Sequence, residues 1–363
     1  MHLAWLKLRN FRSYSSLRFD PDPGVNVLVG DNGAGKTSLL EAVGYLGSAR
    51  SFRGVPDGAL ISDGAASAIV RGSFEGGASE TTVECEIPQE GRRTVLVNGK
   101  RPQRMRDLLS IVPVVAFIPD DLDLVKGGSA VRRDFLDDLA ARIWPQAAAA
   151  QADYDRALRQ RNSLLKQEGR GTDLVTLSVW DERLGVAAAG VLHHRRAVAA
   201  ALQPQLAAAY RSVGGVGDLA WSYRSTWNSD AARDEEALKS ALVDALERRR
   251  SKELEIRTTT AGPHRDEPDV LLDGRSTRTQ ASQGEQRTTA LAMRVGAYRV
   301  IEQLRNQKPI LLLDDVFSEL DASRASRVLE LIPVGQVFVT TARDDEVPIG
   351  GRRWSVNDGK VQP

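Results

Sequence analysis

The eight residues "GDNGAGKT" (Gly30–Thr37) fit the pattern G-x-x-x-x-G-K-[ST] at every position. That pattern cradles phosphate. Gly33 and Gly35 let the backbone approach phosphate oxygens with N–H groups pointing inward. The helix expected to begin near Lys36 adds positive potential at its N-terminus. Lys36 brings a point charge to β- and γ-phosphates, and the Thr37 hydroxyl can ligate Mg2+. Gly30, Asp31, Asn32, Gly33, Ala34, Gly35, Lys36, Thr37 and Ser38 are therefore the candidate site for ATP.

A second stretch, "ILLLDD" (Ile310–Asp315), is an apolar strand ending in two carboxylates. Asp314 is suited to hold Mg2+ through water, and Asp315 to position or deprotonate an attacking water. Lys36, Asp314 and Asp315 are the candidate catalytic residues; Thr37 and Asp314 are the candidate metal ligands. A third stretch, "SQGEQ" (Ser282–Gln286), opens a helix upstream of those acids. Alone it reads as a helix cap, because Ser-x-Gly turns are common there. In order with the other two, the Ser282 hydroxyl, the Gly284 N–H and the helix N-terminus form a second γ-phosphate site.

These residues need elements to hold them. "LAWLKL" and "SLRF" flank a polar turn and read as paired strands, and "GVNVLVG" as a buried strand leading into the loop. "DNGAGKTSLLEAVGYLG" turns into an amphipathic helix, with Leu39, Leu40, Val43 and Leu46 at helical spacing. Strands follow at 67–74, 81–87, 93–101 and 111–119, the third with an Asn98-Gly99 hairpin turn. From 123 to 255 the texture becomes helical: 131–144, ended by Pro145, then 154–165, 174–206 and 235–250, with a short strand near 219–227. Their apolar stripes read as the core of a bundle. After 256 strands return at 269–275, 309–321 and 335–343, with a helix at 323–332 and a final hairpin at 352–362.

Lys36 and Asp314 stand near opposite ends of a 363-residue chain, farther apart than a compact phosphate-loop domain requires. One nucleotide-binding domain is therefore split by an insertion. The expected division is 1–122 for its N-terminal half with a β-subdomain, 123–255 for a helical lobe, and 256–363 for its C-terminal half. The single cysteine, Cys85, excludes an intrachain disulfide and fits a reducing cytoplasm. The N-terminus does not read as a signal peptide, and no stretch reads as a membrane span. The net charge of +1 leaves nucleic-acid binding to local clustering.

Phosphate-loop proteins split this way resemble ABC-type ATPases, whose signature sequence, normally Leu-Ser-Gly-Gly-Gln, contacts the ATP of the opposite protomer. Over nearly its whole length the chain resembles the RecF family, relatives of the SMC and Rad50 heads. The resemblance rests on "LKLRNFRSY" (6–14), "GDNGAGKTSLLEA" (30–42), "PDDLDLVKGGSAVRRDFLD" (119–137), "TTAGPHRDE" (259–267), "SQGEQRT" (282–288) and "LLLDDVFSELD" (311–321). It implies an α/β fold: an ABC-type P-loop ATPase head with a β-subdomain and an inserted α-helical lobe. It further implies an ATP-dependent homodimer and a weak, DNA-stimulated ATPase. The DNA expected is single-stranded, linear double-stranded or a gap junction. RecO and RecR are the implied partners, RecA loading and SOS induction the implied outcome, and the cytoplasm the implied place. Arg12 occupies a position that in related heads lies near the nucleotide or the partner's signature helix.

Transporter ATPases carry a His after the strand that follows the acids; here "VFVTTAR" offers Thr340 and Thr341. That departure weakens the alternative of an ABC transporter subunit. Another alternative is a DNA clamp that uses ATP mainly as a ligand switch. Candidate phosphate contacts to DNA are the cluster Arg92, Arg93, Lys100, Arg101, Arg104 and Arg106, and the smaller groups Arg132–Arg133 and Arg248–Arg250. A solvated basic hairpin explains the first equally well. No base-reading motif is evident, so binding is expected to select structure rather than sequence. His193 and His194 diverge on a helix and make no metal pair, and His264 is expected to serve structure.

Overall fold

The computed structural model describes residues 1–76, 80–227, 234–317, 327, 335–344, 347 and 350–363. They form two compact units. The first comprises Met1–Leu122, Gln205–Val216 and Arg287–Pro363, the second Asp123–Pro204 and Gly217–Gln286. The expected helix at 323–332 and the "SELD" stretch (318–321) lie outside the described residues, apart from Arg327 within that helix.

The first unit opens with β1 (His2–Phe11), β2 (Tyr14–Phe19), β3 (Val25–Val29) and α1 (Lys36–Ser48). It continues with β4 (Ser67–Glu75), β5 (Thr81–Pro88), β6 (Thr94–Val97), the short α2 (Leu108–Ile111) and β7 (Val114–Phe117). Its C-terminal part supplies β11 (Ile310–Asp314), β12 (Val337–Thr341), β13 (Arg352–Asn357) and β14 (Lys360–Gln362). Two sheets result. An antiparallel one runs β2-β1-β4-β5-β6, and a mainly parallel one runs β14-β13-β3-β12-β11-β7. β11 and β12 are buried at every position, as interior parallel strands require.

α1 packs against both sheets. One cluster joins Leu6 and Leu8 of β1, Leu40 and Val43 of α1, Leu312 of β11 and Phe338 of β12. The helix is consequently buried at every residue from Leu39 to Gly47 rather than along one stripe. The amphipathic reading missed this because small residues, Ala42, Gly44 and Gly47, let the second sheet cover the other face. Buried Gln336 ties the two ends of the chain together. Its Nε2 donates to the carbonyls of Leu3 (2.9 Å) and Asp22 (3.0 Å), and its Oε1 accepts from Leu3 N–H at 2.6 Å.

The second unit holds α3 (Asp123–Lys126), α4 (Ser129–Ile143), α5 (Pro145–Glu168), most of α6 (Leu174–Ser212) and α7 (Glu235–Ile256). It also holds a small sheet, β10-β9-β8, from β8 (Leu219–Arg224), β9 (Glu267–Leu272) and β10 (Arg275–Ser276). α8 (Thr277–Gln280) follows, and α9 (Gln283–Arg305) begins here before passing to the first unit. Tyr154, Leu184, Leu192, Trp227, Leu242 and Leu246 belong to its core. Pro145 both ends one helix and opens the next, because proline suits the first helical position. The unit continues to Gln286, beyond the expected boundary at 255, because β9 pairs with β8. Among the described residues no helix is long and apolar enough to cross a membrane.

Candidate functional site

The phosphate loop connects β3 to α1. Gly33 and Gly35 take φ of 86° and 106°, a region glycine enters without strain. The first helical bond runs from Leu39 N–H to Gly35 O at 3.0 Å. The N–H groups of Lys36, Thr37 and Ser38 therefore lack helical partners, as first-turn donors do. Asp31, Asn32 and Gly33 are exposed, and Ala34 N–H closes the loop onto Asp31 O at 3.1 Å. Lys36 is buried and donates to the carbonyls of Gly30 (2.6 Å) and Asp31 (2.9 Å). Burial pushes its pKa down, against the opposing pull of Asp315, Asp314 and Asp31.

The acid strand meets this loop directly. Thr37 Oγ1 donates to Asp314 Oδ1 at 2.8 Å, and Thr340 Oγ1 donates to the same oxygen at 2.8 Å. Burial raises the Asp314 pKa, while these two hydroxyls pull it back. Asp315 follows with φ 51°, half-buried, and its N–H donates to Thr340 Oγ1 at 2.8 Å. Thr340, noted in the sequence only as a missing His, thus bridges both acids. Pairing of β11 with β12 aligns Asp314 with Thr340, and no local sequence signal reports that register.

Arg12 sits in the β1–β2 turn at φ 54°. Its guanidinium forks onto buried Glu41 of α1, Nε to Oε2 at 2.9 Å and Nη2 to Oε1 at 3.1 Å, while Nη1 donates to Ala59 O at 2.9 Å. Ser51 Oγ donates to the same carboxylate. All three nitrogens of Arg12 are engaged, two on Glu41 of α1 and one on Ala59 O. Tyr14, two residues on, donates its hydroxyl to Gly35 O at 3.0 Å. Sequence reasoning quoted both Tyr14 and Glu41 without assigning them a task. Further along, Asp121 is buried, accepts Ile118 N–H at 3.0 Å, and receives Arg294 Nε of α9 at 2.9 Å.

The signature stretch forms a capping box in the second unit. Ser282 N–H donates to Glu285 Oε2 at 2.7 Å, and Glu285 N–H donates to Ser282 Oγ at 3.3 Å. The Gln286 side chain anchors the turn from below, donating to Thr277 O at 3.0 Å. Ser282, Gln283 and Gly284 remain exposed.

The basic groups separate cleanly. Arg132 is buried and donates to the carbonyls of Pro268 and Gly127, and Arg133 donates to Asp266 O. Arg249 donates to Thr260 O and Thr226 O, and Arg250 pairs with Asp181 at 3.1 Å. Arg132 is buried, so it serves the interior rather than DNA phosphate; Arg133, Arg249 and Arg250 are half-buried and held by protein oxygens, and Arg248 is exposed. In the hairpin cluster Arg93 pairs with Asp57 at 2.6 Å, whereas Arg92, Lys100, Arg101 and Arg104 are exposed.

Comparison with known proteins agrees with this geometry. The family model for the RecF/RecN/SMC N terminal domain matches residues 2–356. The chain is 39% identical to the DNA replication and repair protein RecF of Acidothermus cellulolyticus, covering 99% of each. It is 40% identical to the protein of that name from Streptomyces avermitilis, covering all of both. Among solved structures it is similar to the recombination mediator protein RecF-ATP in the RecFOR pathway, with a TM-score of 0.93, 28% identity and coverage of 99% and 97%. An Smc head bound to the C-winged helix domain of ScpA shares the fold, with a TM-score of 0.57 and 18% identity over 100% of this chain and 96% of that one. The two sequence relatives named here are DNA replication and repair proteins, not transporter subunits. From the full-length identities and the shared head fold, the chain belongs to the RecF family of DNA replication and repair proteins, with an ABC-type ATPase head.

Proposed function

We propose that the chain is an ATP-dependent DNA-binding protein of replication and recombinational repair, in which ATP joins two copies and hydrolysis separates them. The observation that carries the reading is the meeting of Thr37, Asp314 and Thr340 beside Lys36. The Lys36 ammonium, donating to two loop carbonyls, can exchange them for phosphate oxygens. The free N–H groups of the loop suit the same anion. Thr37 and Asp314 offer the hard oxygens that Mg2+ prefers, few in number as expected when substrate phosphates and water complete its shell. Bound there, Mg2+ would neutralise phosphate charge. Asp315 is assigned to orient the attacking water and accept its proton.

Ser282 and Gly284, exposed at a helix start, are assigned to the γ-phosphate of ATP held by a second copy. Arg12 acts by fixing α1 through Glu41. DNA is assigned to the hairpin bearing Arg92, Lys100, Arg101 and Arg104 on the edge of the five-stranded sheet. The reading extends to cytoplasmic work on single-stranded, linear double-stranded and gapped DNA with RecO and RecR, to RecA loading and SOS induction, and to a weak ATPase stimulated by DNA; what supports it is that the relatives are named for DNA replication and repair and for the RecFOR pathway. Asp315→Asn is expected to bind ATP, slow turnover and persist as a dimer. Light scattering that finds this variant monomeric at saturating ATP rejects the reading.

A further inference from the structure

Gly35 presents one carbonyl to two donors. Leu39 N–H reaches it at 3.0 Å as the first helical bond, and the Tyr14 hydroxyl reaches it at 3.0 Å from β2. Tyr14 is fully buried. A Cβ on Gly35 would stand 3.0 Å from that hydroxyl oxygen, so the contact uses the space that glycine leaves. A peptide unit is planar, so the Gly35 carbonyl and the Lys36 N–H point oppositely from one rigid plate. Holding the carbonyl fixes the direction of the N–H. That N–H is a first-turn donor with no helical partner. Arg12, two residues before Tyr14, is held separately: its guanidinium forks onto Glu41, and its carbonyl accepts from Ser62 Oγ at 2.6 Å.

We infer that Tyr14 is a positioning residue of the phosphate loop: its hydroxyl sets the plane of the Gly35–Lys36 peptide and so aims the Lys36 N–H at a bound polyphosphate. This rests on the reading of the loop as the ATP site. The bond is made whether or not the reaction has begun, so it contributes equally to substrate and transition state. Burial pushes the Tyr14 phenol above its ordinary pKa, so the group stays a donor at every working pH.

The test compares wild type, Tyr14→Phe and Ser62→Ala. The first variant keeps the ring and removes the hydroxyl. The second removes a neighbouring hydroxyl, the one bonded to Arg12 O, while the Tyr14–Gly35 bond stays in place. Tyr14→Phe is expected to raise the ATP Kd and KM about three- to tenfold, the worth of one neutral hydrogen bond, with kcat unchanged. Ser62→Ala is expected to leave both constants at wild-type values. Kd and KM within about twofold of wild type in Tyr14→Phe, or equal rises in both variants, overturn the inference. Hydrogen exchange of nucleotide-free protein reads the same bond without turnover. Faster exchange of the 30–38 segment in Tyr14→Phe than in Ser62→Ala is expected, and equal exchange counts against it. Wild type that binds no ATP would reject the proposed function itself; wild type that binds ATP beside an unaffected Tyr14→Phe rejects only this inference.

Discussion

Asp314 accepts two hydroxyls on one oxygen, and one of them comes from a residue that no motif names. Thr340→Val keeps the volume but removes a donor to Asp314 and an acceptor for Asp315 N–H. Leaving such groups short costs about 1–3 kcal/mol. Turnover is therefore expected to fall about tenfold or more, while ATP affinity, set largely by the loop, changes by less than about threefold. Steady-state kinetics beside equilibrium nucleotide binding measures both; a pure affinity loss would contradict the assignment. Lys36, Thr37 and the two acids were legible in the sequence because each lies in a short pattern with its own chemistry. Thr340, Tyr14 and Glu41 were not, because Thr340 meets Asp314 through strand register, and Tyr14 and Glu41 find their partners in a loop and a turn that only the folded chain brings close.

At the scale of elements, burial decides which basic clusters face solvent. Arg132 and Arg249 are spent on backbone carbonyls, so charge in sequence did not mean charge on the surface. The β6 hairpin differs, since Lys100 and Arg101 are exposed. The double variant Lys100→Glu, Arg101→Glu is expected to weaken retention of gapped duplex and make the log–log salt dependence shallower by about two units. Unchanged slope would move the DNA face elsewhere. Strands and helices were read well where apolar spacing was strong. α1 was misread as one-sided because its small residues, Ala42, Gly44 and Gly47, permit a second covering sheet without specifying one. The start of α5 was missed because Pro145 was taken only as a stop.

Across the whole molecule, the second unit carries a half-buried neutral histidine. His264 Nδ1 lies 2.6 Å from the Tyr154 hydroxyl and Nε2 lies 3.3 Å from Thr259 O. The carbonyl can only accept, so Nε2 holds the proton and Tyr154 donates to Nδ1. Burial pushes the His264 pKa down to about 4, from an ordinary 6.5. The unfolded chain then binds a proton that the folded chain refuses between these values. Stability is therefore expected to fall as pH drops from about 6.5 toward 4, by on the order of 3 kcal/mol from this group. Urea melts of wild type and His264→Gln across that range check it: the variant should lose less stability on acidification, and parallel curves would exclude His264 as the cause.

ATP as the joint between two copies is the claim on which the rest depends. Neither the phosphate loop nor the exposed Ser282 turn is assigned the whole task; each is assigned half of a site completed by a second chain. Ser282→Arg should fill that turn with a bulky cation while leaving the loop of Lys36 untouched. Light scattering at saturating ATP, with bound nucleotide counted in the same sample, tests this most directly. The account predicts that wild type doubles in mass and that Ser282→Arg stays monomeric with ATP bound. A Ser282→Arg protein that doubles in mass with ATP would contradict it.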